Sequence, residues 1–320
     1  MPETKKKIVF IINPVSGGRS KTRVEAAIKK YLDRDLYDYQ IIYTAYRHHA
    51  IEIARNESEK GTDVVVAVGG DGSANEVARG LVNSNTVMGL IPVGSGNGLA
   101  HYLRIPVIYR KSIEILNNHN IKRIDTALLN DTMFISIAGM GFDALVAEEF
   151  AGSKQRGFVP YLRIIKRNIF SYKPELYHIR FKDKDIKTKA LFVSFANSDQ
   201  FGFNASIAPV ARISDGLIDL CIVHPIPMYK VPHLANMLFL KIINRSQYVE
   251  IYKTDSAIVE TENEVPCQFD GEPSSRCKRV QISIVPRSLN MIVPYKKTDP
   301  RVYLRGMRQS MKLQSKLSLK

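Results

Sequence analysis

Residues 63–81 read DVVVAVGGDGSANEVARGL, and no other stretch limits the fold as much. The run Val64-Val65-Val66-Ala67-Val68 has the unbroken β-branched character of a strand buried on both faces. It stops at Gly69, Gly70, Asp71 and Gly72, after which Ser73 and Asn75-Glu76 open a helical pattern carried by Ala74, Val77, Ala78 and Leu81. Glycines packed so closely suit a backbone that turns sharply and approaches a ligand. Amides beside a helix N-terminus make an anion site, and phosphate is the expected anion. Asp71 would repel that ligand, so a carboxylate here implies a metal ion or a proton-transfer role. Read alone, the same letters also describe an ordinary strand-to-helix turn capped by Asp71.

Two further segments shift that balance. Lys7–Ile12 reads as a strand ending on Asn13-Pro14-Val15-Ser16-Gly17-Gly18, with a helix over Arg19–Leu32 behind it. Val87–Ile91 runs into Pro92-Val93-Gly94-Ser95-Gly96-Asn97-Gly98-Leu99-Ala100, a third glycine-rich turn. Between them lie a strand over Tyr39–Thr44 and a helix over His48–Lys60 that closes on Gly61. His48 and His49 read as a solvated or packing pair. Successive strand–loop–helix units predict a doubly wound parallel sheet with its loops at the carboxyl edge, where ligands bind. Phosphate-competent loops repeated along one edge point to a nucleotide site.

From Ile121 onward the periodicity changes. Ile121–Leu129 and Thr132–Ala138 read as strands. Phe142–Phe170 reads as helix with a basic face (Lys154, Arg156, Arg163, Lys166, Arg167). Short alternating strands follow: Leu176–Phe181, Lys187–Ala196, Leu217–Val223, Val249–Ile251, Ala257–Glu262, Val265–Phe269, Val280–Val285 and Met291–Val293, with a helix over Pro232–Ile243. Such spacing predicts a mostly antiparallel sandwich or barrel. The expected organisation is α/β: a nucleotide-binding domain over 1–130, a β-rich domain over 131–294 and a basic tail over 295–320. In the tail Leu304, Met307 and Met311 fall near helical spacing. Both an amphipathic helix on an anionic membrane and a solvated terminus are consistent with that.

The 320-residue chain carries a formal net charge of +15, which suits a negative partner: nucleotide phosphates, nucleic acid or an anionic membrane face. Aromatic residues are not interleaved with the basic ones as on a base-stacking platform, which argues against nucleic acid. No apolar run approaches the roughly 18 residues that span a bilayer. The charged start leads straight into a strand, without a signal-peptide pattern. Cys221, Cys267 and Cys277 lack metal-like spacing and point to a reducing cytoplasm. Cys267 and Cys277 could approach each other across a hairpin, although idle thiols are the simpler reading.

Two acidic clusters stand out beyond residue 200. Asp270-Gly271-Glu272 sets two carboxylates on a tight turn, one able to act as general base with the other in support. Asp-Gly is equally the strongest plain hairpin signal. Asp215-Gly216-Leu217-Ile218-Asp219 offers carboxylates and carbonyls to a hard cation, or is again only a turn.

Taken together, Asn13-Pro14-Val15-Ser16-Gly17, Gly69-Gly70-Asp71-Gly72-Ser73-Ala74-Asn75-Glu76, Gly94-Ser95-Gly96-Asn97 and Asp270-Gly271-Glu272 resemble the diacylglycerol kinase catalytic family. That family includes soluble bacterial lipid kinases, sphingosine kinases and ceramide kinases. The resemblance covers about residues 7–294, in the same order. It implies a two-domain lipid kinase fold and Mg²⁺- and ATP-dependent phosphoryl transfer to a lipid hydroxyl, that of diacylglycerol or a related lipid. By the same resemblance Asn13, Pro14, Val15, Ser16, Gly17, Thr44, Gly69, Gly70, Asp71, Gly72, Ser73, Ala74, Asn75, Ser95 and Asn97 would contact ATP. Glu272, with Asp270 beside it, would accept the hydroxyl proton. Asp71 would organise Mg-ATP, with Asp125 a further acidic member of that network. Asp215, with the carbonyls of Arg212 and Leu217, would hold a structural Mg²⁺.

Ser73 stands where threonine is usual, and Ser95-Gly96 replaces threonine followed by a small apolar residue. Both keep the hydroxyl. Gly94 to Ala100 leans toward the sphingosine-kinase version, which leaves a sphingolipid acceptor open. The resemblance implies a cytoplasmic enzyme that meets its lipid at an anionic membrane surface, with an apolar acceptor pocket sought in Phe142–Tyr172. Edge strands in the β-rich domain leave a homodimer open. Competing expectations are an NAD kinase, which shares the glycine loop but lacks the Asn-Pro-x-Ser-Gly opening, and a non-catalytic nucleotide- or membrane-binding regulator.

Overall fold

The computed structural model describes residues 4–14, 21–153 and 157–295. Val15, Ser16, Gly17, Gly18, Lys154, Arg156 and the 296–320 tail, on which expectations above fall, lie outside the described residues.

The first half forms as its pattern predicts. Strands β1 (Lys6–Ile12), β2 (Tyr37–Tyr43), β3 (Val64–Gly69) and β4 (Val87–Pro92) lie parallel in the order β2-β1-β3-β4. Alternation along β1 divides its side chains between two layers. Val9 and Ile11 pack with α2 (His49–Glu59) and α3 (Asp71–Leu81). Ile8, Phe10 and Ile12 pack with α1 (Lys21–Tyr31) and α5 (Tyr109–Asn118). A short α4 (Gly98–Leu103) follows the loop after β4. Both β3 and β4 are buried along their whole length, the expected state for strands covered on two faces.

The second half is antiparallel. β5 (Ile121–Leu129), β6 (Thr132–Phe134) and β7 (Ile137–Gly141) lead into α6 (Phe142–Gly152) and α7 (Phe158–Asn168). Next come β8 (Glu175–Phe181), β9 (Lys184–Ala190), β10 (Phe192–Ala196), β11 (Gln200–Gly202), β12 (Ala205–Ser206), β13 (Ile218–Val223), α8 (Val231–Phe239), β14 (Val249–Thr254), β15 (Ser256–Phe269) and β16 (Glu272–Ile292). Strands β14-β13-β10-β7-β15-β16 run side by side, and β8 with β9 branches from β15. The core between them is built from Phe134, Tyr177, Phe195, Val259 and Ile282, among others.

Several expected elements change, among them the strand over Thr132–Ala138, which breaks between β6 and β7. The strand expected over Lys187–Ala196 divides at Leu191, and four short strands expected after Ala257 merge into the long hairpin β15–β16. More importantly, β16 runs back into the first domain. Leu289 and Ile292 pair with Ile124 and Ile121 of β5, and Met291 pairs in parallel with Met88 of β4. Leu289, Met291 and Val293 share a core with Val65 and Val77. An open β4 edge would leave a row of backbone donors and acceptors unpaired, and the returning strand covers it. The division at 130/131 is therefore crossed twice by the chain. No helix among the described residues is long and apolar enough to cross a membrane.

Candidate active site

The glycine loops meet at the carboxyl ends of the parallel strands. A Cβ added at Gly94 would lie 2.5 Å from the Cα of Gly70, and one at Gly69 would collide with the Ser73 side chain. Only glycine permits two backbones this close. The Asn13 side chain reaches Ser73 Oγ at 3.5 Å, and the Thr44 amide donates to the Ile12 carbonyl at 3.0 Å, which sets the ends of β1 and β2 beside the loop after β3. Asn13, Pro14, Thr44, Gly70, Ser73, Gly94 and Ser95 line a cleft of about 1060 Å³, and the N-terminus of α3 opens into it. The missing Cβ atoms leave glycine backbone on its wall beside the hydroxyls of Thr44, Ser73 and Ser95, a lining suited to phosphate.

Asp71 ties the loops together. Its Oδ1 accepts the Leu99 amide at 3.2 Å. Desolvation pushes its carboxyl above the usual range against the opposing pull of the Gly98, Leu99 and Asn97 amides. Its Oδ2 points toward Gly96, whose Cβ position is 3.2 Å away. Of the expected ATP contacts, three turn inward instead. Ala74 lies in the core stripe of α3. Asn75 donates to Asp270 at 2.7 Å and to the Met133 carbonyl at 3.3 Å. Asn97, at φ 48°, folds its own loop by donating to the Gly94 carbonyl at 2.7 Å.

The acidic corner comes from the second half of the chain. Asp270 and Gly271 both have positive φ, 48° and 81°, and Phe269 pairs with Glu272 across them. This is a two-residue hairpin turn of the kind Asp-Gly favours. The turn and the site are the same object. Glu272 faces the phosphate loop: a Cβ on Gly72 would lie 2.8 Å from its Oε1. Its Oε2 meets Arg47 Nη2 at 3.3 Å.

Asp270 has a different task. Its carboxylate accepts the amides of Ile135 at 2.8 Å, Ser136 at 2.7 Å and Ile137 at 3.1 Å, besides Asn75. Desolvation outweighs these donors and leaves its carboxyl above the usual range. Four donors and no acceptor leave it no free lone pair to offer a substrate. Asp270 is a strut holding the turn to β6, β7 and α3, and is not the support for Glu272 that its neighbouring position suggested.

Asp125 and Asp215 lie together, and neither shares a hydrogen bond with Asp71 among the described residues. Asp125 accepts the Gly216 amide at 2.8 Å and the Arg287 amide at 2.7 Å, so it pins two loops and does not belong to the glycine-loop network. Asp215 accepts the Leu217 amide at 3.2 Å, and the Arg212 carbonyl takes the Ser214 and Asp215 amides at 2.7 and 3.3 Å. Lys253 Nζ stands 3.0 Å from both Asp215 Oδ2 and buried Asp219 Oδ2. An ammonium already occupies the place of a cation, and the residues present do not fit a structural Mg²⁺. Stripping divalent ions with EDTA should shift the melting temperature by less than about 1 °C. Lys253→Ala should lower it by roughly 5 °C, since it leaves Asp219 buried and unpaired while one-third exposure of the lysine moderates the loss. A large EDTA shift in the native chain would show that the loop does hold a metal.

Behind the acidic corner the cleft continues inward. A pocket of about 100 Å³ touches Asp71, Asp270, Asp143 and Tyr161. It adjoins an apolar cavity of about 170 Å³ lined by α6, α7, α8 and β10, including Phe142, Leu162, Phe192 and Leu234. Asp143 stands at the junction of the two and accepts hydrogen bonds from Ser194 Oγ at 3.1 Å and Gln268 Nε2 at 3.3 Å. Desolvation pushes its carboxyl up to about 6. Its Oδ1 has no partner among the described residues. Sequence reasoning found the region of this cavity but missed Asp143 and Arg47. An acid among the apolar residues of the first turn of α6, and an arginine next to a histidine pair, were the signals.

Comparison with known proteins agrees with this architecture. Residues 7–129 match the diacylglycerol kinase catalytic domain, and residues 136–293 match the YegS C-terminal NAD kinase beta sandwich-like domain. A probable lipid kinase YegS-like from Chromohalobacter salexigens is 28% identical over 251 residues, 76% of this chain and 80% of that protein. A protein of the same description from an Enterobacter species is 27% identical over 295 residues, 89% of this chain and 95% of that one. A solved Bacillus anthracis diacylglycerol kinase superposes with a TM-score of 0.71 at 19% identity, covering 91% of this chain and 97% of that one, and so shares the fold.

Proposed function

Since the chain belongs to the diacylglycerol kinase catalytic family, carrying its catalytic domain and the sandwich-like domain that follows, we propose that it transfers the γ-phosphoryl group of ATP to a hydroxyl of a membrane lipid, diacylglycerol or a close relative. One observation carries this reading: Glu272, contributed by the second domain, lies against Gly72 of the phosphate loop, with the apolar cavity opening behind the same corner.

The amides of the glycine loops and the α3 N-terminus hold the phosphates. Asp71 would hold the Mg²⁺ of Mg-ATP, which supplies positive charge to the phosphoryl oxygens. Glu272 accepts the lipid hydroxyl proton as the hydroxyl oxygen bonds to the γ-phosphorus and the bond to the β-phosphate oxygen breaks toward ADP. Arg47 keeps the Glu272 carboxylate in place from the outer side. The apolar cavity takes acyl chain, and Asp143 at its mouth meets the polar end of the acceptor.

The test offers γ-labelled ATP with a lipid extract and with NAD in parallel. Label is expected in a lipid and not in NAD. Label in NAD alone would assign the site to the rival kinase, and no label in any acceptor would remove the catalytic reading.

A further inference from the structure

We propose that Cys267 and Cys277 are a redox modification site, closing a reversible disulfide across the β15–β16 hairpin when the protein meets a peroxide. The two sulfurs are 2.6 Å apart, and both thiols are free. Register explains the contact. Cys267 faces Ser274 and Cys277 faces Val265, so the cysteines stand diagonally on either side of an irregularity between Val265 and Cys267. A regular ladder holds diagonal neighbours farther apart, and the bulge brings these together.

The two thiols are unequal. Cys267 is buried, whereas Cys277 is half-buried on a strand reading Arg276-Cys277-Lys278-Arg279. The Cys267 thiol, as hydrogen-bond partner, holds Cys277 below the usual thiol range, and the same contact together with burial pushes Cys267 up. Cys277 is therefore the sulfur that attacks and Cys267 the one that resolves. Cys221 is fully buried in a different core beside Ile207 and does not compete.

In the first step the Cys277 thiolate attacks one peroxide oxygen. The O–O bond breaks, a sulfenic acid forms and the departing hydroxide takes a proton to become water. In the second, the Cys267 sulfur attacks Cys277, the S–O bond breaks, and hydroxide leaves with the Cys267 proton as a second water. Two thiols lose two electrons and the peroxide gains them. The resulting ring encloses Asp270-Gly271-Glu272, so the clip bears on the turn that carries the acidic corner.

The test treats the purified full chain with an excess of hydrogen peroxide, then counts thiols under denaturing conditions and maps peptides by mass. Thiols should fall from 3 to 1, with a peptide joining residues 267 and 277 that is lighter by two hydrogens. The melting temperature should rise by about 5 °C and return on treatment with dithiothreitol. Cys277→Ser, at the half-buried position, should fold as the native chain does and lose both the linkage and the thermal gain. Unchanged thiol counts would overturn the proposal, as would oxygen added at Cys277 without a cross-link.

Discussion

Glu272→Gln should lower the turnover of lipid phosphorylation by about 10²–10⁴-fold, the usual range for removing a positioned general base. The amide keeps the size and the hydrogen-bonding reach of the carboxylate but cannot accept the hydroxyl proton. Stability should hardly change. The Glu272 side chain is 24% exposed, and its ion pair with Arg47 reaches to an arginine 68% exposed. Pairs of that kind contribute less than about 1 kcal/mol. The informative measurement is therefore turnover at saturating ATP beside a melting curve of the same sample. The fall should lie in turnover and not in the apparent affinity for ATP, because the phosphates would rest on backbone amides that the substitution leaves alone. Turnover within threefold of the native value would show that the proton leaves by another route, and the base assignment would fail.

Much of this site was legible from residue order. Three glycine-rich turns after apolar strands required a parallel sheet with its loops on one edge, and Gly70 and Gly94 meet there backbone against backbone, where the sequence reading expected close approach to a ligand. The period of α3 also held the correction to one expected contact. Ala74 belongs to the stripe with Val77, Ala78 and Leu81, and a residue of that stripe points at the core and not at a ligand.

What order could not supply was long-range pairing. Nothing local to residues 286–293 says that they complete a sheet begun near residue 6, because that depends on which edge is left open after four strands have assembled. Arg47 and Glu272 are 225 positions apart and meet only because the β15–β16 hairpin is pinned beside α3. The ammonium of Lys253 at Asp215 and Asp219 is hidden for the same reason: β13 and β14 must pair before the charges can be matched.

The pinning itself gives the second large effect, and it falls on the other carboxylate of the turn. Asp270→Asn should cost about 3–5 kcal/mol of stability, the range for breaking a buried, charge-assisted network. The geometry says why a substitution of one atom does so much. Oδ2 takes the Ile135 amide and the Asn75 side-chain amide, while Oδ1 takes the amides of Ser136 and Ile137. An asparagine can present its oxygen to only one of these pairs, and its NH₂ group then faces two donors. The melting temperature should drop by roughly 10 °C. Residual turnover should follow the fraction of chain still folded at the assay temperature, so cooling should restore it in Asp270→Asn but not in Glu272→Gln. On the proposed mechanism two carboxylates separated by one glycine would divide the work, one accepting a proton and one holding the first in reach of it. A melting temperature for Asp270→Asn within about 2 °C of the native value would mean that β6, β7 and α3 do not rely on this anchor, and the division would be wrong.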